Sequence, residues 1–376
     1  MKLFYGAGIS LLAIYASVRA EPLQLPARGP HHKVASSGSS AIVAVANGMH
    51  HLEGGEWIES DPAIDLHPNG ASALRLPHKI LFGQNLAAGV DILTPDGLHL
   101  RGAPRAIAYF DALDGRTVIL GTLKDPSTAA AQLHPPNVLV YPDAFDGVRA
   151  SIRYVVDKGS IIQCVVFPEN LPDPALFGMS PAVRIDVWNA FTEAPTPQQT
   201  DTVVWANPDP LARALMAEPD LIDTTLDFAQ MRLIPGKSFL LSEANGNPAP
   251  GADIPGSVPV FKQWLQTGQE SWLIESVEYA AVRDKLATLP ASSLVIDPNT
   301  ASQFVSEGRD LPMIDAPHPS TSPFKQSARR QRTRVSVSIT PWFTAPRRGH
   351  FNLELRISST GASQSVLQPS FKPTRS

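Results

Sequence analysis

From Ala41 onward the chain carries short apolar or alternating runs rather than long periodic ones: Ala41 to Ala46, Ala73 to Leu76, Lys79 to Phe82, Val90 to Leu93, Ala106 to Phe110, Thr117 to Leu120 and Val138 to Tyr141. Several are separated by dipeptides that favour strand reversal, namely Asn69-Gly70, Asp96-Gly97, Asp114-Gly115 and Asp146-Gly147. This rhythm predicts antiparallel sheets stacked on one another in place of strand-helix-strand units.

The clearest pair of predicted strands lies between Tyr141 and Phe167. Val148, Ala150, Ile152 and Tyr154 alternate with Arg149, Ser151 and Arg153, so one face is expected to be buried and the other wet. Across the Asp157-Lys158-Gly159 turn, Ser160 to Phe167 is apolar on both faces and is expected to be covered on both sides. Ala182 to Thr192 alternates again, with Val183, Ile185, Val187 and Asn189 opposite Arg184, Asp186, Trp188 and Ala190. Thr196 to Thr202 reads as a polar connection, and Leu211 to Ala217, framed by prolines, as a two-turn helix. Further strand material is predicted over Leu226 to Leu241, then as a pair over Val258 to Leu265 and Ser271 to Val277. A helix is predicted over Tyr279 to Leu289, where Ala280, Val282, Leu286 and Leu289 share a stripe that Pro290 ends.

The expected fold is therefore mostly β, an antiparallel β-sandwich-like body with a short helix near residues 279–289. The expected division is a signal peptide over 1–20, a flexible Pro/Gly/Ser/His linker over 21–40 and a β-sandwich domain over 41–195. A second β-rich region with short helices follows over 196–323, then a basic, partly disordered tail over 324–376.

The signal peptide rests on Lys2, the apolar run Gly6 to Tyr15 and the small or branched residues before Glu21. The run is too short to favour a membrane span, so a secreted, periplasmic or cell-surface location is expected, with no transmembrane span after cleavage. A single cysteine, Cys164, forms no bridge within the chain, and stability must come from a core. Amid apolar neighbours it reads as a small buried hydrophobe. With 36 prolines and 25 glycines, the composition suits frequent turns and not long helices.

Charge is uneven. Residues 325–376 hold ten Lys or Arg and one acid, Glu354, for a net of +9, whereas residues 21–324 hold 19 bases and 34 acids and net −15. A basic arm on an acidic body suits contact with anionic envelope polymers or other surface proteins, and Arg329, Arg330, Arg332, Arg334, Arg347 and Arg348 are the candidate polyanion ligands. The same composition suits a solvated end with no ligand.

Candidate chemistry is sparse. His31-His32 and His50-His51 are metal-capable but lack closed-site spacing. Asp111, Asp114, Asp91 and Asp96 do not reproduce a calcium loop and read as turn residues. No serine has a complete nucleophile elbow, and paired carboxylates such as Glu53 with Glu56 or Glu59 with Asp61 do not reveal their separation in space. No catalytic residue, metal site or cofactor is assigned. Six tryptophans keep sugar stacking open, and Trp188, beside Arg184 and Asp186, is the candidate glycan contact.

The stretch VYPDAFDGVRASIRYVVDKGSIIQCVVFPEN resembles the extracellular β-module that precedes Rhs/YD repeats or β-propeller-type repeats in bacterial surface proteins. Tyr141, Phe145, Gly147 and Tyr154 fit its pattern, while Cys164 stands where that pattern often has an acid. WLIESVEYAAVRDKLATLP resembles a downstream segment of such modules. The resemblance spans Ala41 to Pro290, carries no catalytic residues and lacks the repeats that usually follow. It implies a non-catalytic structural or interaction module of an envelope protein. The alternative is a secreted carbohydrate-binding or carbohydrate-active protein.

Overall fold

The structure, a computed structural model, describes residues 27–37, 40–124, 130–241, 254–267, 270–294, 296–309, 336–339, 342–343 and 351–358. Two largely antiparallel sheets dominate it, the second including one parallel pair between Arg232–Ile234 and Ser336–Ile339. The larger runs in the order Gly236–Ser238, Val258–Thr267, Glu270–Glu278, Val183–Glu193, His99–Asp111, Val90–Leu93, Lys79–Gly83, Gly70–Ala73 and Asp65–His67. From His99–Asp111 it branches through Arg116–Leu123 to Phe145–Asp146 and Val305–Glu307. The second sheet runs Gln132–His134, Val138–Tyr141, Ser151–Asp157, Ser160–Phe167, Phe351–Ser358, Ser336–Ile339, Arg232–Ile234, Asp220–Asp227 and Gln198–Ala206.

One continuous core lies between the sheets. Its facing aromatic rings meet at 5.4 Å for Phe82 on Tyr154 and 5.5 Å for Phe228 on Trp264. The Tyr141 hydroxyl crosses the layers to donate to the Gly83 carbonyl at 2.7 Å. The mostly-β, layered body expected from the alternating runs is what these strands form. Ile152, Tyr154 and Val156 point into the core from Ser151–Asp157, and all eight residues of Ser160–Phe167 are buried. The predicted helices are present as Pro210–Leu215 and Tyr279–Leu286, the second burying Val282 and Leu286.

Two expected boundaries change. The division between residues 195 and 196 runs through a single sheet, because Val183–Glu193 pairs along eight residues with Glu270–Glu278. The linker expected over 21–40 contains Arg28–Gly29 and His32–Ser37, which pair with each other, the latter also with Ser40–Val45. The basic tail carries strand where Val335 to Thr340 and Phe351 to Ile357 have a strand-like pattern: Ser336–Ile339 pairs with Phe351–Ser358, which pairs with Ser160–Phe167 over eight residues. Residues 1–20, where the signal peptide is expected, lie outside the described residues, as does most of the tail. Among the described residues no helix is long and apolar enough to cross a membrane.

The three-stranded sheet that ends in Ser40–Val45 is separate from both large sheets. Gly48, which follows it, approaches the Lys158–Gly159 turn so closely that a Cβ there would stand 1.9 Å from the Lys158 carbonyl oxygen. Its φ of +63° also favours glycine.

Candidate functional site

The residues singled out by chemistry are mostly committed to architecture. Trp188 is fully buried and is not the glycan contact expected of it. It packs with Trp272, Ile274 and the small side chains of Ala106, Ala108 and Ala190 in a second apolar cluster. The polar neighbours that suggested exposure are buried too. Arg184 donates to Glu218, and Asp186 accepts from Ser276 at 2.6 Å and from Arg309 at 2.9 Å. The six arginines proposed for polyanions, Arg329, Arg330, Arg332, Arg334, Arg347 and Arg348, all lie outside the described residues.

Cys164 is buried, as its surroundings predict. Asp91 is held by His99 and Arg101, Asp111 accepts the Leu113 and Ser180 N–H groups, and Asp114 pairs with Arg116. Glu59 bridges to Lys158 at 2.9 Å and Asp61 to Arg75 at 2.9 Å, which hold both carboxyls below their ordinary range. For Asp61 the Ala63 N–H contributes most. His50 Nδ1 sits 2.8 Å from the Gly29 carbonyl oxygen, and His31 Nδ1 accepts from the Gly48 N–H. Among the described residues no three His, Cys, Asp or Glu side chains converge to hold a metal.

A buried polar chain crosses the sandwich. The Tyr154 hydroxyl donates to Gln163 at 2.9 Å, Gln163 donates to Asn189 at 2.8 Å, and Asn189 donates to Glu275 at 3.2 Å. Each comes from an inward position of its strand, so the chain links both sheets. Tyr154, Gln163 and Asn189 line a cavity of about 20 Å³ between apolar walls that include Ile92 and Phe191, room for a single water. Burial drives the Glu275 carboxyl well above its usual range, against the opposing influence of Lys262 and Asn189. Lys262, fully buried, donates to Asp223 at 2.7 Å. This arrangement fixes how the sheets meet.

The exposed chemistry lies elsewhere. Where Thr196 to Thr202 was expected as a polar connection, Gln198–Ala206 is a nine-residue strand at the end of the second sheet, and every residue in it is exposed. It pairs with Asp220–Asp227 on one side and, among the described residues, with nothing on the other. Val203, Val204 and Trp205 are each about half exposed, and Leu211 and Leu215 on the following helix are exposed more than three-quarters. Asp201 and Asp223 fall on opposite faces of this ribbon, since Asp201 stands across from Thr224 and Asp223 across from Thr202. The signal for this edge was present in the run Val203-Val204-Trp205, but the polar residues before it concealed the strand.

No family model, no curated protein and no solved structure matches this chain.

Proposed function

We propose that the chain is a secreted or surface-associated, non-catalytic interaction module of a bacterial envelope protein. The observation that carries this reading is the strand Gln198–Ala206, exposed at every residue and, among the described residues, paired on one side alone, with its apolar run Val203-Val204-Trp205. Sheet edges with free N–H and C=O groups are templates for another strand, and protein surfaces usually blunt them. Lys262, Asp223, Asp186 and Arg309 support the same reading, because they are spent on ion pairs with one another. Cell fractionation with protease shaving of intact cells tests the location: the chain should be found in the envelope or medium and be cleaved from outside. Recovery solely from the cytoplasm would overturn the proposal.

A second reading, carbohydrate binding, is favoured by Trp205, whose ring is 49% exposed. A glycan and polyanion screen on the purified chain separates the two. Binding lost in Trp205→Ala, or turnover of a bound glycan, would establish the carbohydrate reading instead.

A further inference from the structure

Lys262 is, among the described residues, the one lysine that is fully buried. Its strand, Val258–Thr267, belongs to the larger sheet, and Val260 and Trp264 flank it on the face turned to the core. Directly opposite stands Glu275 of Glu270–Glu278, flanked in the same way by Leu273 and Val277. Side chains that face each other across paired strands start about 5 Å apart. Glu275 Oε2 accepts from Asn189, while Oε1 is buried with no hydrogen-bond partner among the described residues.

Asp223 of Asp220–Asp227 reaches the same point from the second sheet. Its Oδ1 accepts from Lys262 Nζ at 2.7 Å and from the Lys262 N–H at 3.0 Å, two bonds that hold the carboxyl against the amine. The pairs Lys124–Asp143 and Lys158–Glu59 are open to water at both partners, whereas Lys262 is shut off from it and the Asp223 side chain is only 14% exposed. A fixed, dry contact between amine and carboxyl has already given up the freedom that condensation of separate groups must lose, and it excludes the water that would reverse the reaction.

We propose that Lys262 and Asp223 condense to an amide between Nζ and Cγ, a covalent tie between the two sheets for which their ion pair is the starting state. One Nζ proton passes to the carboxylate, which leaves an amine and an acid. The nitrogen lone pair then forms the bond to Cγ, and the negative charge that develops on Oδ1 lies beside the Lys262 N–H. Glu275 gives its proton to the departing Oδ2 hydroxyl and takes the second proton from the nitrogen. The C–Oδ2 bond breaks, one water leaves on the Asp223 side, and Glu275 is unchanged. Burial, which holds the Glu275 carboxyl well above its usual range, favours the protonated form that this step uses. The tie joins residues 39 apart in sequence and gives a chain with a single cysteine the staple that a disulfide supplies elsewhere. It does not depend on the partner that the exposed strand takes.

The test is mass spectrometry of the full chain, intact and after denaturation and digestion with trypsin. The wild type should be one water lighter than its polypeptide. Trypsin should release residues 214–232 joined to residues 238–283, because an acylated Lys262 is no longer a cleavage site. Fragmentation should place the junction at Asp223 and Lys262. Lys262→Arg keeps a cation against Asp223 and removes the nucleophile, and Glu275→Gln keeps the shape and removes the proton carrier. The first should have its full mass and the second should be largely unjoined, with circular dichroism melts confirming that each folds. Lys262→Met replaces the first variant if it does not. A wild type of full mass, with residues 214–232 and 238–262 released separately, overturns the proposal. So does loss of a water without the joined peptide, as cyclisation at Asp96-Gly97 would produce. A junction that forms completely in folded Glu275→Gln overturns the part given to Glu275.

Discussion

Arg309 Nε stands 2.9 Å from Asp186 Oδ2, a carboxylate with no exposure to solvent, and the same guanidinium lies 3.5 Å from the centre of the Phe110 ring. It also reaches Glu218, which Arg184 holds from the other side. One side chain near residue 309 thus neutralises the outer surface of the larger sheet, about 120 residues away in sequence. Replacing it leaves a buried carboxylate without its cation, which costs about 3–5 kcal/mol. Arg309→Met should lower the urea midpoint by a corresponding amount. Arg309→Lys should recover only part of it, because a lysine cannot engage two carboxylates and a ring at once. An unchanged midpoint in Arg309→Met would show that the pairing is dispensable.

Stability should respond to pH through two buried groups with opposite signs. Burial, with smaller contributions from His31 and Lys79, lowers the His78 imidazole to about 3. Below an ordinary histidine value of about 6.5 the unfolded chain gains a proton that the folded chain refuses, so stability falls as pH drops from there towards 3. Glu275, raised by burial, does the reverse. Above an ordinary carboxyl value the unfolded chain loses a proton that the folded chain keeps, so stability falls as pH rises. Each contributes a slope of at most about 1.4 kcal/mol per pH unit. Between the two ordinary values the slopes oppose one another. Denaturation from pH 4 to 9 should show His78→Phe losing the acid-side fall and Glu275→Gln losing the alkaline-side fall, each without the other.

The tryptophans should divide cleanly. Trp188→Ala should cost about 3–5 kcal/mol through the cavity it leaves, whereas Trp205→Ala at an exposed edge should change stability by less than about 0.5 kcal/mol. Iodide quenching of native fluorescence should be reduced in Trp205→Phe and unaltered in Trp188→Phe. Equal quenching losses in the two would contradict the placement of these rings.

Cys164 lies in a strand whose eight residues are all buried. A thiol reagent such as Ellman's should leave the native chain unmodified and react with one equivalent after denaturation. Rapid reaction under native conditions would mean that the Ser160–Phe167 strand opens readily.

Much of this architecture could be read in advance, and the omissions have physical causes. Alternation in Val148 to Tyr154 and the two apolar faces of Ser160 to Phe167 placed both strands and their burial, because a period of two is a direct imprint of sheet geometry. The same alternation in Val183 to Glu193 separated the two faces of the strand correctly but did not reveal that both are covered. Arg184 and Asp186 look like solvent residues until Glu218 and Arg309 arrive from elsewhere in the chain. The exposed edge Gln198–Ala206 was missed for the converse reason: a strand covered on neither face carries little of the alternation that burial imposes. Nor does spacing disclose that Tyr154, Gln163, Asn189 and Glu275 form one chain, since four strands from two sheets must come together before they meet.

The strand Val183–Glu193 is flanked on one side by His99–Asp111 and on the other by Glu270–Glu278. Cutting the gene at residue 195 would consequently not yield two autonomous products. Each fragment would present a raw central seam, greasy and unpaired, and would be insoluble when made singly. Co-expressed, the pieces would find each other along that seam, which makes this connection a natural place for a split reporter and a poor one for a truncation.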